Sequence, residues 1–181
     1  LAAYLAQAGY KTTMHMFDVE LFDRSWKDFS PEEVLAGLRE RQKHIPDNSW
    51  LARYHHILVD GFELYVRSGG LFAFPLLSTK LLRNLLDSGP YLILLNSTYL
   101  NQAAKQRYIQ GSDTFVSDPT GGRSLTHAVT CAGYKDGEFL IIDPDPPKNI
   151  LPHRWVAQDH LIASIMVAQT ESDNFLIKIE K

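Results

Sequence analysis

The chain has 181 residues, of which 45% are hydrophobic and 22% are charged, as expected for one globular domain that can bury a sizeable core. Its net charge of −3 offers no basic surface to nucleic acid, and no apolar run reaches the roughly 18–20 residues that cross a bilayer. We therefore expect neither a nucleic-acid partner nor a membrane-spanning segment. The one cysteine, Cys131, excludes an internal disulfide and favours a reducing compartment such as the cytoplasm.

Helical patterns dominate the first half of the chain. An opening helix ends at Gly9, and residues 11–17 then alternate as a strand does. Ser30 can cap the next helix, with Pro31 at its first position and Glu33 completing a capping box. Two further helices are each marked by a polar N-cap and a terminal glycine, at Asn48 or Ser49 and Gly69 for one, and at Ser78 or Thr79 and Gly89 for the other.

Strand patterns dominate the second half. A continuous apolar run predicts a central strand, and a long polar stretch after it predicts a loop, which at this length is usually functional or disordered. Further strands, a hairpin turn and a short helix follow. The predicted elements are the central strand 91–95, the loop 96–125, the hairpin strands 126–134 and 138–142, the helix 155–165 and the last strand 175–179. Helices followed by a mainly antiparallel sheet predict the α+β class.

The hairpin carries the chemically most specific residues of the chain. His127 begins its first strand and Asp143 ends its second, 16 residues later, around a turn at residues 135–137. Paired residues of antiparallel strands lie roughly 4.5–5.5 Å apart, so we expect the two side chains to meet. A carboxylate that accepts a proton from an imidazole N–H fixes the tautomer and orientation of the ring. His127 and Asp143 are therefore the predicted base and orienting acid of a catalytic triad.

The segment from His127 to Pro144, HAVTCAGYKDGEFLIIDP, resembles the His-to-Asp hairpin of papain-like cysteine peptidases related to the bacteriocin-processing, double-glycine-leader family C-thirty-nine. His, an apolar strand, Gly-Tyr, a turn, a second strand and Asp-Pro follow one another in both. The similarity extends over residues 78–167. It implies a papain-like fold, with N-terminal helices packed on the sheet, and a peptide or protein substrate. A family described as guanylyl cyclases shares much of the same pattern.

The resemblance also implies a nucleophilic cysteine, preceded by a glutamine, at a helix N-terminus upstream of the histidine. No cysteine precedes His127 in this sequence. Cys131 lies four residues further along the same strand, about 13 Å away at roughly 3.3 Å per residue, whereas a nucleophile must lie within about 3 Å of its base. Because the chain begins inside a helical pattern without an initiator methionine, we expect one domain, residues 1–181, that lacks its N-terminal nucleophile segment.

Three functions remain open at this point. The first is a cysteine hydrolase with a Cys-His-Asp triad whose cysteine lies upstream. The second is a peptidase-like domain without activity that binds a peptide such as a leader sequence. The third is a cyclase-like relative, which ranks last because the chain has no phosphate-binding loop. We expect no cofactor and no metal site, since His55 and His56 are adjacent rather than four residues apart.

Two further expectations concern the surroundings of the site. Residues 96–99 follow the central strand and either line a cleft or form a solvated loop, and Asp145 is a turn residue. If a nucleophile helix is missing, the sheet rim at His127 and Asp143 should be exposed, with apolar surface beside it.

Overall fold

The computed structural model describes residues 1–46, 50–112, 114–168 and 174–181. In these ranges the chain is a mixed α+β protein. The helices are α1 (Ala2–Gln7), α2 (Pro31–Gln42), α3 (Trp50–Arg67), α4 (Thr79–Leu86), α5 (Ser97–Leu100) and α6 (Gln158–Met166), with a 3-10 helix at Arg24–Asp28. The strands are β1 (Lys11–Met16), β2 (Leu71–Ala73), β3 (Tyr91–Asn96), β4 (Gln106–Ile109), β5 (Thr114–Ser117), β6 (Thr126–Lys135), β7 (Glu138–Ile142), β8 (His153–Ala157) and β9 (Phe175–Glu180).

Seven strands form one sheet in the order β2-β1-β9-β3-β6-β7-β8, and β4 and β5 form a separate hairpin. Only β1 and β2 run parallel within the described sheet; every other neighbouring pair is antiparallel. The predicted α+β class with a mainly antiparallel sheet is therefore confirmed. β3 lies in the interior of the sheet, as its unbroken apolar sequence predicts.

Local sequence signals explain most of the element boundaries. Ser30 and Glu33 form the predicted capping box of α2, and Ser78 accepts the backbone N–H of Leu81 at the start of α4. The turn between β6 and β7 has positive φ at both Asp136 and Gly137, which is the geometry that matches the twist of a hairpin. The predicted start of α3 at residues 48–49 lies outside the described residues.

Two sequence predictions are wrong. Residues 155–157, the predicted start of the helix 155–165, belong instead to strand β8, so α6 begins only at Gln158. Backbone pairing with β7, from Ala157 opposite Glu138 to His153 opposite Ile142, outweighs the helical spacing that Trp155 shares with residues further on. The stretch 96–125 is also not a plain loop, because it contains α5 and the β4–β5 hairpin.

The sheet has two unlike faces, because successive side chains of a strand point to opposite sides. The site face carries Leu95, His127, Val129 and Ile141 and is covered by α4, α5 and α6. The open face carries Met14 and Ile177, which are covered by α1–α3. Further across the sheet it carries Leu94 and Ala128. It ends at two large apolar side chains that stay exposed, Ile142 at 44% and Trp155 at 46%.

Candidate active site

The predicted contact between the two hairpin residues is present. Nε2 of His127 lies 2.7 Å from Oδ1 of Asp143. The two residues are not directly opposite each other, because the turn pairs Lys135 with Glu138 and so sets Asp143 against the middle of β6. A β-bulge between Cys131 and Gly133 then shifts the register by one residue, so that Thr130 pairs with Ile142. Continuing that register places Asp143 across from Val129, so the carboxylate reaches His127 diagonally along the site face. The hydrogen-bonding expectation is confirmed, and the expectation of direct pairing is wrong.

The bond fixes which imidazole nitrogen is free. A carboxylate only accepts hydrogen bonds, so Nε2 of His127 must donate to Asp143 and the lone pair lies on Nδ1. Among the described residues, Nδ1 has no hydrogen-bond partner. The His127 side chain is 25% exposed, so its free nitrogen is not sealed inside the core. An oriented imidazole with an unengaged lone pair is the arrangement of a general base.

Asp143 is held from several sides and is itself fully buried. Its Oδ1 also accepts the backbone N–H of Asp145 at 3.1 Å, which makes Asp145 the predicted turn residue. Its backbone N–H donates to the carbonyl of Pro152 at 2.6 Å. Its Oδ2 is buried without a hydrogen bond and lies 3.5 Å from Nη1 of Arg154. The rim at this residue is therefore closed, and the expectation that Asp143 is exposed is wrong.

Arg154 is the residue that the sequence interpretation missed. Arg154 lies on β8 and pairs with Ile141 of the neighbouring strand β7, two residues before Asp143. Its side chain therefore points to the site face. Its Nη2 donates to the side-chain oxygen of Asn101 at 2.7 Å, and its Nη1 donates to the carbonyl of Leu151 at 3.2 Å. A nearby cation offsets part of the cost of burying a carboxylate. Reading residues 153–157 as a strand paired with β7 would have found it.

Cys131 lies in the interior of the site face, fully buried and paired across β3 with Tyr91. Burial raises the pKa of its thiol to about 11, which keeps the sulfur protonated at neutral pH. The prediction that Cys131 is a buried strand residue is confirmed, and its place four residues along β6 keeps it away from His127.

Gly133 and Tyr134, which belong to the family-like motif, have structural roles. Gly133 lies beneath Trp155, whose ring would be 3.8 Å from an added Cβ atom. The Tyr134 ring packs on Phe139 and under Arg83, and its hydroxyl donates to the Gln158 side chain at 3.1 Å. Tyr134 therefore fixes the hairpin against its neighbours, and Gly133 lies where the register of β6 against β7 changes.

The remaining predicted candidates lie elsewhere. His55 is buried in α3, and both its ring nitrogens lack partners among the described residues. Of residues 96–99, Asn96, Thr98 and Tyr99 line a groove that is described below, and residues 97–99 belong to α5. In the described part of the chain, no three His, Cys, Asp or Glu side chains are grouped closely enough to hold a metal ion. None of the described helices combines the length and apolarity needed to cross a bilayer.

The open face bears the apolar surface that was expected near the site, although on the opposite side of the sheet from His127. A groove of about 560 Å³ runs between α1, α3 and the sheet. Leu94 and Ala128 form its floor on the sheet side, and Ile57 and Leu64 of α3 stand exposed at its edge. Ala128 follows His127 directly, so the groove and the imidazole belong to the same stretch of β6.

Comparison with protein-family models, with curated proteins and with solved structures finds no match to this chain. The resemblance to papain-like peptidases therefore depends on the hairpin residues themselves, and the function must be argued from the geometry of the site.

Proposed function

We propose that this chain supplies the general base and the orienting acid of a cysteine hydrolase that acts on a peptide or related amide. His127 takes the proton from the attacking thiol and returns it to the leaving amine, and Asp143 orients His127. The observation that carries the proposal is the 2.7 Å contact from Nε2 of His127 to a fully buried carboxylate, with Nδ1 left unengaged. The α+β architecture and the hairpin motif support a papain-like fold for it.

The nucleophile of this proposal is a thiol from outside the 181 residues. Cys131 is the one cysteine of the sequence, and it is buried, protonated and on the interior of β6. The thiol must reach Nδ1 of His127 within about 3 Å, and the ring is partly open to solvent.

The same absence of a usable cysteine favours a second function. If no thiol reaches His127, the domain is a peptidase-like module that holds a peptide, such as a leader sequence, without cleaving it. In that case the buried Asp143–Arg154 ion pair serves only to stabilise this end of the sheet.

A thiol-labelling experiment separates the two functions. The longest product of the gene that encodes this chain is treated with iodoacetamide at neutral pH, and alkylated cysteines are identified by mass spectrometry. A hydrolase should show one rapidly labelled cysteine other than Cys131, and His127→Ala should slow its labelling by about a hundredfold. His44→Ala is the matched control, because that imidazole is exposed and lies on α2's C-terminal side.

Peptide-amide hydrolysis is measured on the same proteins. The longer product should cleave and its His127→Ala variant should not, while the 181-residue chain alone should be inactive. A longer product with no cysteine besides Cys131 would leave only the binding module. Hydrolysis by the 181-residue chain that His127→Ala abolishes would show that the nucleophile has been misassigned.

A further inference from the structure

A second groove, of about 500 Å³, lies at the end of the sheet where β6 begins. We call it the α5 groove. Six of the ten residues that line it carry side chains that can form hydrogen bonds. These six are Asn96, Thr98, Tyr99, Gln102, Lys105 and Ser124.

The α5 groove lies close to His127 along the backbone. The Thr98 hydroxyl oxygen accepts the backbone N–H of Leu125 at 3.0 Å, and Leu125 is two residues before His127. Since an extended chain advances at most roughly 3.3–3.6 Å per residue, the groove wall is within about 10 Å of the His127 backbone. A peptide bound in the groove would need only two or three residues to bring an amide to the imidazole.

The wall of the α5 groove is also connected to Asp143, through Asn101 and Arg154. Asn101 directly precedes the groove residue Gln102, and its side-chain oxygen holds Arg154 at 2.7 Å. Arg154 in turn lies 3.5 Å from Asp143. The same contacts therefore position the groove and the carboxylate that orients His127.

The charge of the groove is positive. Among the described residues that line it, Lys105 alone is charged, and no ion pair of Lys105 occurs within the described part of the chain. Asp118, whose backbone N–H donates to the Lys105 carbonyl at 2.8 Å, has its carboxylate already engaged. The Gly121 backbone N–H, and then the Arg107 side chain at 2.9 Å, hold the pKa of Asp118 below its ordinary value. A carboxylate that entered the groove would meet the Lys105 ammonium group, which has no ion-pair partner among the described residues, and the hydroxyl groups of Thr98 and Ser124.

We infer that the α5 groove is a substrate subsite of the His127–Asp143 centre and that it binds a carboxylate of a peptide, with Lys105 as the cationic partner. This inference rests on the proposed function, because it names the substrate class of that same site. The carboxylate belongs either to an acidic side chain or to the end of a peptide, and the two sources share the same chemistry.

Three blocked dipeptides test the inference on the 181-residue chain, with binding followed by NMR chemical shifts. N-acetyl-alanyl-glutamate amide carries a side-chain carboxylate, N-acetyl-alanyl-glutamine carries a terminal one, and N-acetyl-alanyl-glutamine amide is the neutral control. At least one acidic probe should shift the amide signals of Thr98, Gln102 and Ser124 in a saturable way, and the neutral probe should not. Which acidic probe binds more tightly identifies the source of the carboxylate.

The variant Lys105→Gln should weaken binding of the acidic probe by about two- to fivefold, the range expected for an exposed ion pair. Lys148→Gln removes another exposed lysine and should leave binding unchanged. Equal binding of the neutral probe, an unchanged affinity in Lys105→Gln, or no saturable shift at millimolar concentration would each overturn the inference. These outcomes leave the hydrolase proposal standing, because thiol labelling tests that proposal separately.

Discussion

The two faces of the central sheet differ in how completely they are covered. The site face is closed by α4–α6, and its apolar residues, from Tyr91 to Ile141, are almost fully buried. The open face is covered only on its β1, β2 and β9 side and leaves Ile142 and Trp155 exposed. The His127–Asp143 pair therefore lies on the face of the sheet that α4–α6 cover, where packed helices hold its surroundings in place.

The site face also contains the buried charges, whereas the exposed part of the open face is apolar. Lys178 is 4% exposed on the site face, where its ammonium group donates to the Gly89 carbonyl at 2.7 Å. His15 lies on the same face, and burial, followed by the charge of Lys178, lowers its pKa to about 4. The unfolding free energy of the chain should therefore respond differently to changes on the two faces, whether a charge is removed, a side chain is truncated or the pH is lowered.

The largest effect should come from removing Asp143. Asp143→Ala leaves Arg154 without its buried partner, and breaking a buried ion pair costs about 3–5 kcal/mol of unfolding free energy. Chemical denaturation measures the loss. Asp28→Ala is the control, because the Asp28 side chain is 84% exposed and should contribute almost nothing. A loss below 1 kcal/mol for Asp143→Ala would mean that the interactions of Asp143 with His127 and Arg154 do not stabilise the fold.

Neighbouring leucines on β3 compare the two faces directly. Leu95 is fully buried on the site face, so Leu95→Ala should destabilise the chain by about 3 kcal/mol through lost burial and an internal cavity. Leu94 lines the open-face groove and is only partly buried, so Leu94→Ala should cost about 1 kcal/mol. Equal losses in denaturation experiments would show that the open face is packed as tightly as the site face.

Low pH should reduce the unfolding free energy of the chain through His15 on the site face. Its folded pKa, about 4, lies below the unfolded value of 6.5, so the stabilisation is fully present above pH 6.5 and is lost as the pH falls towards 4. The loss should reach at most about 3 kcal/mol. His15→Leu should flatten stability over this pH window, while His44→Leu, on an exposed side chain, should not. Parallel pH profiles for wild type and His15→Leu would contradict the assignment.

Cys131 should be almost inert in the folded protein. With a thiol pKa of about 11, only about one molecule in a thousand carries the thiolate at pH 8, and the sulfur is buried. Labelling by a thiol reagent should therefore be slow in buffer and fast in denaturant. Fast labelling of the native chain would place Cys131 at an open surface instead.

Most of the fold follows from signals that act over a few residues. The capping box at Ser30 and the Asp136-Gly137 turn each determine their own geometry, and the turn brings the His127 strand beside the Asp143 strand. The predictions that were wrong concern residues whose structure depends on partners far away in the sequence. β8 is a strand because it pairs with β7, so the sequence around Trp155 alone could not reveal that Arg154 faces Asp143. The bulge before Gly133 likewise depends on how two strands fit together.

The tautomer of His127 tests the central claim most directly. Long-range proton–nitrogen NMR correlations distinguish a protonated imidazole nitrogen from a bare one, and they can be recorded on the chain at neutral pH. The geometry predicts a proton on Nε2 and a bare Nδ1 for His127, with that preference lost in Asp143→Ala. A proton on Nδ1 in the wild type, or a spectrum that Asp143→Ala leaves unchanged, would contradict the assignment of His127 as a base oriented by Asp143.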